Sequence, residues 1–223
     1  PSSRMAWYRG PTFLYYLETV YVGGARNLVD FRFPVQQAIR PNSGFRGYAG
    51  TVASGAIRVG ETVVALPSGE RSAVASIVTW EGELEEAFCP QSVVLTLRDE
   101  IDLSRGDLLS RERNRPWVRD RIEALLCWVD ERPLDRGRRY MIRLGAQEVA
   151  CVLDSLEYRI EVDSFHREQT VTLERNDIGR VSIQAHRSLV FDSHARNRAL
   201  GRFLLLDPES GRTTAVGVID RVS

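Results

Sequence analysis

From Phe31 onward the apolar residues recur at a spacing of two, in short runs that glycine, proline, asparagine or aspartate break. RVSIQAH is the clearest run: Val181, Ile183 and Ala185 alternate with Arg180, Ser182 and Gln184. In an extended strand that period sends alternate side chains to opposite faces, one toward a core and one toward water. Short strands joined by tight turns must stack as sheets or close on themselves. The expected fold class is therefore all-β and antiparallel.

The first half reads FRFPVQQAI, GYAGTVASG, a turn at Val59-Gly60, a strand at Thr62–Leu66, a hairpin signal at Pro67-Ser68-Gly69, RSAVASIVTW and SVVLTL. Short strands at this density over roughly eighty residues suggest a small closed barrel. Pro34 lacks a backbone donor and argues for an edge position. EGELEEAFCPQ reads as an acidic loop, and NRPWVR, Asn114–Arg119, as a charged, proline-broken boundary. Beyond it, RIEALLCWV, RYMIRL, EVACVLDSLEYRI, QTVTL, RVSIQAH, RFLLLD and TTAVGVI make a second all-β unit of similar size. Asp207-Pro208 with Ser210-Gly211 marks a hairpin between its last two runs. The expected organisation is a connector over 1–27, a first barrel over 28–115 and a second over 116–223. Within the connector Phe13, Leu14, Leu17 and Val20 fall at helical spacing, and Pro11 suits a first turn, so a helix from about Pro11 to Thr19 is predicted. The opening PSSRMAWYRG reads as a piece cut from a longer protein.

Most chemistry is excluded by what the residues do not form. The chain carries 30 basic and 30 acidic residues, and every basic one is Arg. Zero net charge removes a global attraction to nucleic acid or anionic membrane. With no lysine there is no Schiff-base amine and no GxxxxGK[ST] phosphate loop. No GxGxxG opens a helix after a strand, and no GxSxG ties a serine to a histidine. His166, His186 and His194 lack metal spacing and read as surface or core-edge residues. Glu85-Glu86 and Asp99, Glu100 and Asp102 read as solvated loop carboxylates. Cys89, Cys127 and Cys151 are odd in number with no CxxC, which fits ordinary thiols in a reducing compartment. No signal peptide or long apolar run is present, so a cytoplasmic location is expected. No catalytic, cofactor-binding or metal-binding residue is expected in this chain.

One segment stands apart. RPNSGFRGYAG interleaves Arg40, Phe45, Arg46 and Tyr48 with glycines. On one reading Gly44 and Gly47 permit a turn, Gly50 keeps the following strand slim, and the basic and aromatic side chains are displayed at a barrel rim as an interdomain or partner interface. On the other, Phe45 and Tyr48 plug the barrel end and Arg46 is solvated.

Longer stretches carry a resemblance. WYRGPTFLYYLETV followed by FRFPVQQAIRPNSGFRGYAGTVASGAIRVGETVVALPSG resembles the region after the GTPase domain in translation-factor GTPases. RPN with FRGYAG, then EEAF, DEIDLSRGDLL and SLVFDSHARNRALGRFLLLDPESGRTTAVGVI, resemble the large-subunit family of bacterial sulfate adenylyltransferase. The resemblance implies two barrels like domains two and three of elongation factor Tu, preceded in the parent by a G domain that binds GTP and Mg. It implies a separate small subunit that forms adenylylsulfate from ATP and sulfate, and in some members a fused adenylylsulfate kinase domain. The expected partners are that G domain, the small subunit and, where fused, the kinase; the isolated region would be inactive. The alternative implied by the same barrels is an elongation-factor-like module that binds aminoacyl-tRNA, against which FRGYAG and the zero net charge argue.

Overall fold

The computed structural model describes residues 7, 8, 10–20, 27–42 and 45–221. Among these described residues there are one helix and sixteen strands, and each strand pairing is antiparallel. The first nine strands are β1 (Arg32–Asn42), β2 (Phe45–Thr51), β3 (Ala56–Arg58), β4 (Thr62–Leu66), β5 (Arg71–Thr79), β6 (Gly82–Leu84), β7 (Glu86–Phe88), β8 (Ser92–Leu97) and β9 (Leu108–Ser110). Six of them run in the order β4-β9-β1-β2-β8-β5, and β5 returns to β4, so the ring closes. Closure satisfies both sides of each strand and leaves no free edge in the ring. Phe31, Phe33, Val35, Tyr48, Ile77 and Leu95 fill the interior.

The second unit holds β10 (Trp117–Trp128), β11 (Arg139–Leu144), β12 (Gln147–Ile160), β13 (Arg167–Glu168), β14 (Ile178–Phe191), β15 (Arg202–Leu206) and β16 (Thr213–Arg221). Its ring runs β11-β15-β16-β10-β14-β12 and closes through β12 on β11. The alternation in RVSIQAH does what the period demands: Val181 and Ile183 pack with Ile122, Ala124, Leu126 and Trp128 in a second core. The all-β expectation with two consecutive closed barrels holds.

Several local expectations change. Pro34 is not at an edge, because β1 lies between β9 and β2. It is tolerated because the ladder is broken there: Arg32 bridges Ser54, and regular pairing with β2 begins only at Val35 opposite Gly50. EGELEEAFCPQ is not all loop. It holds β6, hairpinned on β5, and β7, which pairs with β3 and buries Ala87. The three-residue β9 at the end of DLSRGDLLS closes the first barrel, and three residues are too few to show a period. The helix α1 (Phe13–Thr19) starts two residues later than expected, since Thr12 is its cap and accepts a hydrogen bond from the Tyr15 backbone N–H at 3.2 Å. None of its residues is buried. Among the described residues no helix is long and apolar enough to cross a membrane.

Candidate functional site

The β1–β2 hairpin brings Arg40, Phe45, Arg46 and Tyr48 to one end of the first barrel, with Ala38 opposite Tyr48. They do not form a single display. Tyr48 is a core residue: its ring is buried and its hydroxyl donates to the Ile101 carbonyl at 2.7 Å. Burial pushes that hydroxyl above the usual tyrosine range. Of the two readings of this segment, the burial of Tyr48 agrees with the one in which it plugs the barrel and not with its display at the rim. Arg46 lies over the Tyr48 ring, 5.9 Å from its centre, and reaches Asp102 at 3.1 Å. Arg40 approaches the same carboxylate at 3.5 Å, and Phe45 is half-buried. Asp102 is largely exposed, so these ion pairs stabilise little.

The glycines of this hairpin provide room. A Cβ at Gly47 would sit 2.6 Å from a Val94 methyl and 2.8 Å from the Phe45 ring, and one at Gly50 would sit 2.4 Å from the Pro34 carbonyl oxygen. Gly47 therefore accommodates the Phe45 ring within a strand, where a turn was expected. Gly50 keeps its strand slim, and Gly44 lies outside the described residues.

A second constellation, absent from the sequence reading, joins the barrels. Arg32 leaves β1 on the outward side, yet neither it nor Asp192 has any side-chain exposure. Its Nε donates to Asp192 Oδ2 at 2.9 Å and its Nη2 to Asp192 Oδ1 at 3.1 Å, a two-pronged fit. Nη1 donates to the Asn114 carbonyl at 2.7 Å and to the Phe31 carbonyl at 2.9 Å. Val64, Leu66 and Leu108 of the first barrel pack there with Val190 and Leu200 of the second. Asn197 extends the junction by donating to the Ser54 hydroxyl at 3.0 Å. Asn114, expected in a boundary linker, is thus pinned between the barrels. Uninterrupted apolar runs were the legible signal: VVAL at 63–66, LVF at 189–191 and LL at 108–109 leave no polar face, as strands covered on both sides do.

Asp30 sits at the margin of this junction. Its carboxylate accepts from Arg196 Nε at 2.8 Å, from Asn27 Nδ2 at 2.6 Å and from Asn114 Nδ2. The Arg196 hydrogen bond, opposed by burial and aided by the two amides, holds its pKa well below the ordinary carboxylate range. A folded pKa below the unfolded one means the stabilisation is complete above the unfolded value of 3.8 and drains away as pH falls beneath it. Asp30→Asn is therefore expected to flatten the loss of stability between about pH 5 and about pH 2.5, read as urea midpoints. An acid slope identical to that of the unaltered protein would refute this.

Comparison with known proteins fits this architecture. Residues 121–220 match the family model described as GTP-eEF1A C-terminal domain-like. The crystal structure of Sup35 complexed with GDP superposes with a TM-score of 0.81 at 18% identity, over 97% of this chain and 53% of that one. Two consecutive closed barrels are thus the tandem-barrel fold of elongation-factor-type proteins. Sequence resolves the kinship further. Sulfate adenylyltransferase subunit 1 of Bacteroides fragilis is 46% identical over 99% of this chain and 47% of its own length. The bifunctional enzymes CysN/CysC of Rhodopirellula baltica and Mycobacterium tuberculosis are 44% and 41% identical, over 98% and 99% of this chain and 34% and 37% of their own lengths. The chain belongs to the sulfate adenylyltransferase subunit 1 family. It spans just under half the length of the subunit 1 relative from Bacteroides fragilis.

Proposed function

We propose that this chain is the non-catalytic tandem-barrel region of a GTP-hydrolysing sulfate adenylyltransferase subunit. Its task is to couple GTP hydrolysis to the formation of adenylylsulfate and pyrophosphate from ATP and sulfate on a separate small subunit. The observation that carries the reading is the 46% identity over nearly the whole chain to a protein named sulfate adenylyltransferase subunit 1. The Arg32–Asp192 junction supports it physically. Coupling requires that a rearrangement at one end be felt at the other as a difference in contact energy, and two barrels fastened through a buried pair can pass on a displacement as one body.

The residues here do not fit GTP or Mg. The chain has no lysine for a phosphate loop. Among the described residues no group of three or more His, Cys, Asp or Glu could hold a metal ion. In this reading GTP and Mg belong to the part of the longer relatives that the chain does not span, and a kinase domain accompanies it only in bifunctional forms. The rim at Arg40, Phe45 and Arg46 is assigned to docking on the G domain or the small subunit.

The test assays the whole protein that carries this chain together with the small subunit. Adenylylsulfate formation is expected to rise with GTP, and Arg46→Ala to reduce that rise while leaving the fold intact. No response to GTP in the unaltered complex would end the coupling reading. An undiminished response in Arg46→Ala would remove the rim from it. Salt-dependent RNA binding by the unaltered chain would favour the tRNA-binding alternative instead.

A further inference from the structure

The outward face of the second barrel breaks the pattern that governs the rest of the chain. Side chains pointing away from a barrel core meet water and are ordinarily polar. Register aligns Ile178 on β14 with Cys127 on β10, Cys127 with Val216 on β16, and Val216 with Leu204 on β15. These four make one apolar row across four neighbouring strands. None belongs to the core, and Val216 is 41% exposed. In the next row Leu125 pairs with Val218, which widens the strip. The strip floors a groove of about 700 Å³. A contiguous apolar face of this kind marks an interaction surface more often than scattered single residues do.

Leu125 also lines an adjoining hollow of about 450 Å³ with opposite chemistry. There Arg180 meets Glu123 at 2.7 Å, Glu157 at 3.1 Å and Asp220 at 2.7 Å. Arg167 lies on the Tyr158 ring, 4.7 Å from its centre. Three carboxylates thus face two guanidiniums, and Glu157 and Asp220 are each more than two-fifths exposed. The lip of the hollow is Phe165, held at φ 57° with 80% of its surface in water. A bulky side chain in the left-handed region is strained, and such strain gathers at sites of function. Val162, on the same hairpin tip, is also exposed.

We propose that this face docks a partner protein that lays an apolar strip along the Cys127 row. The partner inserts an Arg or Lys between Glu157 and Asp220, under the Phe165 ring. The excess of carboxylate over guanidinium selects a cationic anchor, and the uncharged row beside it selects apolar neighbours. The inference rests on the functional reading above, in which the small sulfurylase subunit is one partner, and it names a surface of the second barrel, apart from the Arg40–Arg46 rim, that this subunit uses.

The test uses the whole protein carrying this chain and the purified small subunit, with affinity measured by titration calorimetry. Glu157→Arg with Asp220→Arg is expected to weaken binding by about tenfold or more and to reduce its salt dependence. Asp220→Asn, which disturbs Arg180 less, should weaken it in the same direction. Cys127 supplies a second readout, since Cys89 and Cys151 are buried and Cys127 is not. Its modification by a maleimide should slow when the partner is bound. Full affinity in the charge variants with Cys127 equally reactive would overturn the proposed surface and leave the functional reading standing. No binding by the unaltered protein would overturn both. Loss of a homodimer in the charge variants, with small-subunit binding intact, would make a second copy the occupant and overturn the proposal.

Discussion

Asp192→Ala is expected to lower stability by about 3–5 kcal/mol, which is a large share of what a domain of this size possesses. The size follows from what is left behind. Arg32 has no exposure, and two of its donors end on the Asp192 carboxylate at 2.9 and 3.1 Å. Without that carboxylate a guanidinium is buried with only carbonyls and an amide for company, and water cannot reach it. Replacing both partners, Arg32→Met with Asp192→Leu, removes the charge as well as its partner and is expected to be near neutral. Urea unfolding followed by far-UV circular dichroism measures both. The single variant is also expected to broaden or split the transition, because the barrels have separate cores and the junction couples them. A single variant within about 1 kcal/mol of the unaltered protein would show that the pair is not what holds the junction.

Trp128→Ala should cost about as much, roughly 3–5 kcal/mol, for a different reason. Trp128 ends β10 as one of the largest fully buried side chains, packed edge-on against Tyr140 with ring centres 5.9 Å apart. Its indole N–H donates to the Arg132 carbonyl at 2.7 Å. Truncation opens a cavity in a closed barrel whose strands cannot collapse inward without breaking ladders, so the void persists. Trp80 is the internal control. It also ends a strand run in sequence, but it is fully exposed, and Trp80→Ala is expected to change stability by less than about 0.5 kcal/mol. Similar losses at the two positions would mean that the interior of the second barrel is not packed around Trp128.

Much of this was legible beforehand, and the failures share a cause. RVSIQAH announced β14, and Pro67-Ser68-Gly69 and Ser210-Gly211 announced two hairpins, because strand period and turn chemistry are properties of neighbouring residues. β6, β7 and β9 escaped because three residues do not establish a period, although β9 completes a ring. At the rim the hairpin was placed, but Arg46 and Tyr48 share one face of β2, and only their depth in the barrel separates them. Tyr48 is buried in the core, while Arg46, one pleat nearer the hairpin end, lies over its ring and reaches Asp102. The family was readable in FRGYAG and DEIDLSRGDLL, which no argument from periodicity would have supplied.

Local order alone therefore determined the class of fold, the number of barrels, the inward and outward face of most strands, and the absence of a phosphate loop. Only the tertiary structure decided which outward faces are dry. Arg32 and Asp192 stand 160 residues apart. Arg32 occupies a slot that alternation assigns to solvent, and it is buried because a second closed surface happens to cover it. The same logic separates Val190, outward and covered, from Val216, outward and bare. A period reports which way a side chain points, and what waits there depends on where a distant part of the chain comes to rest.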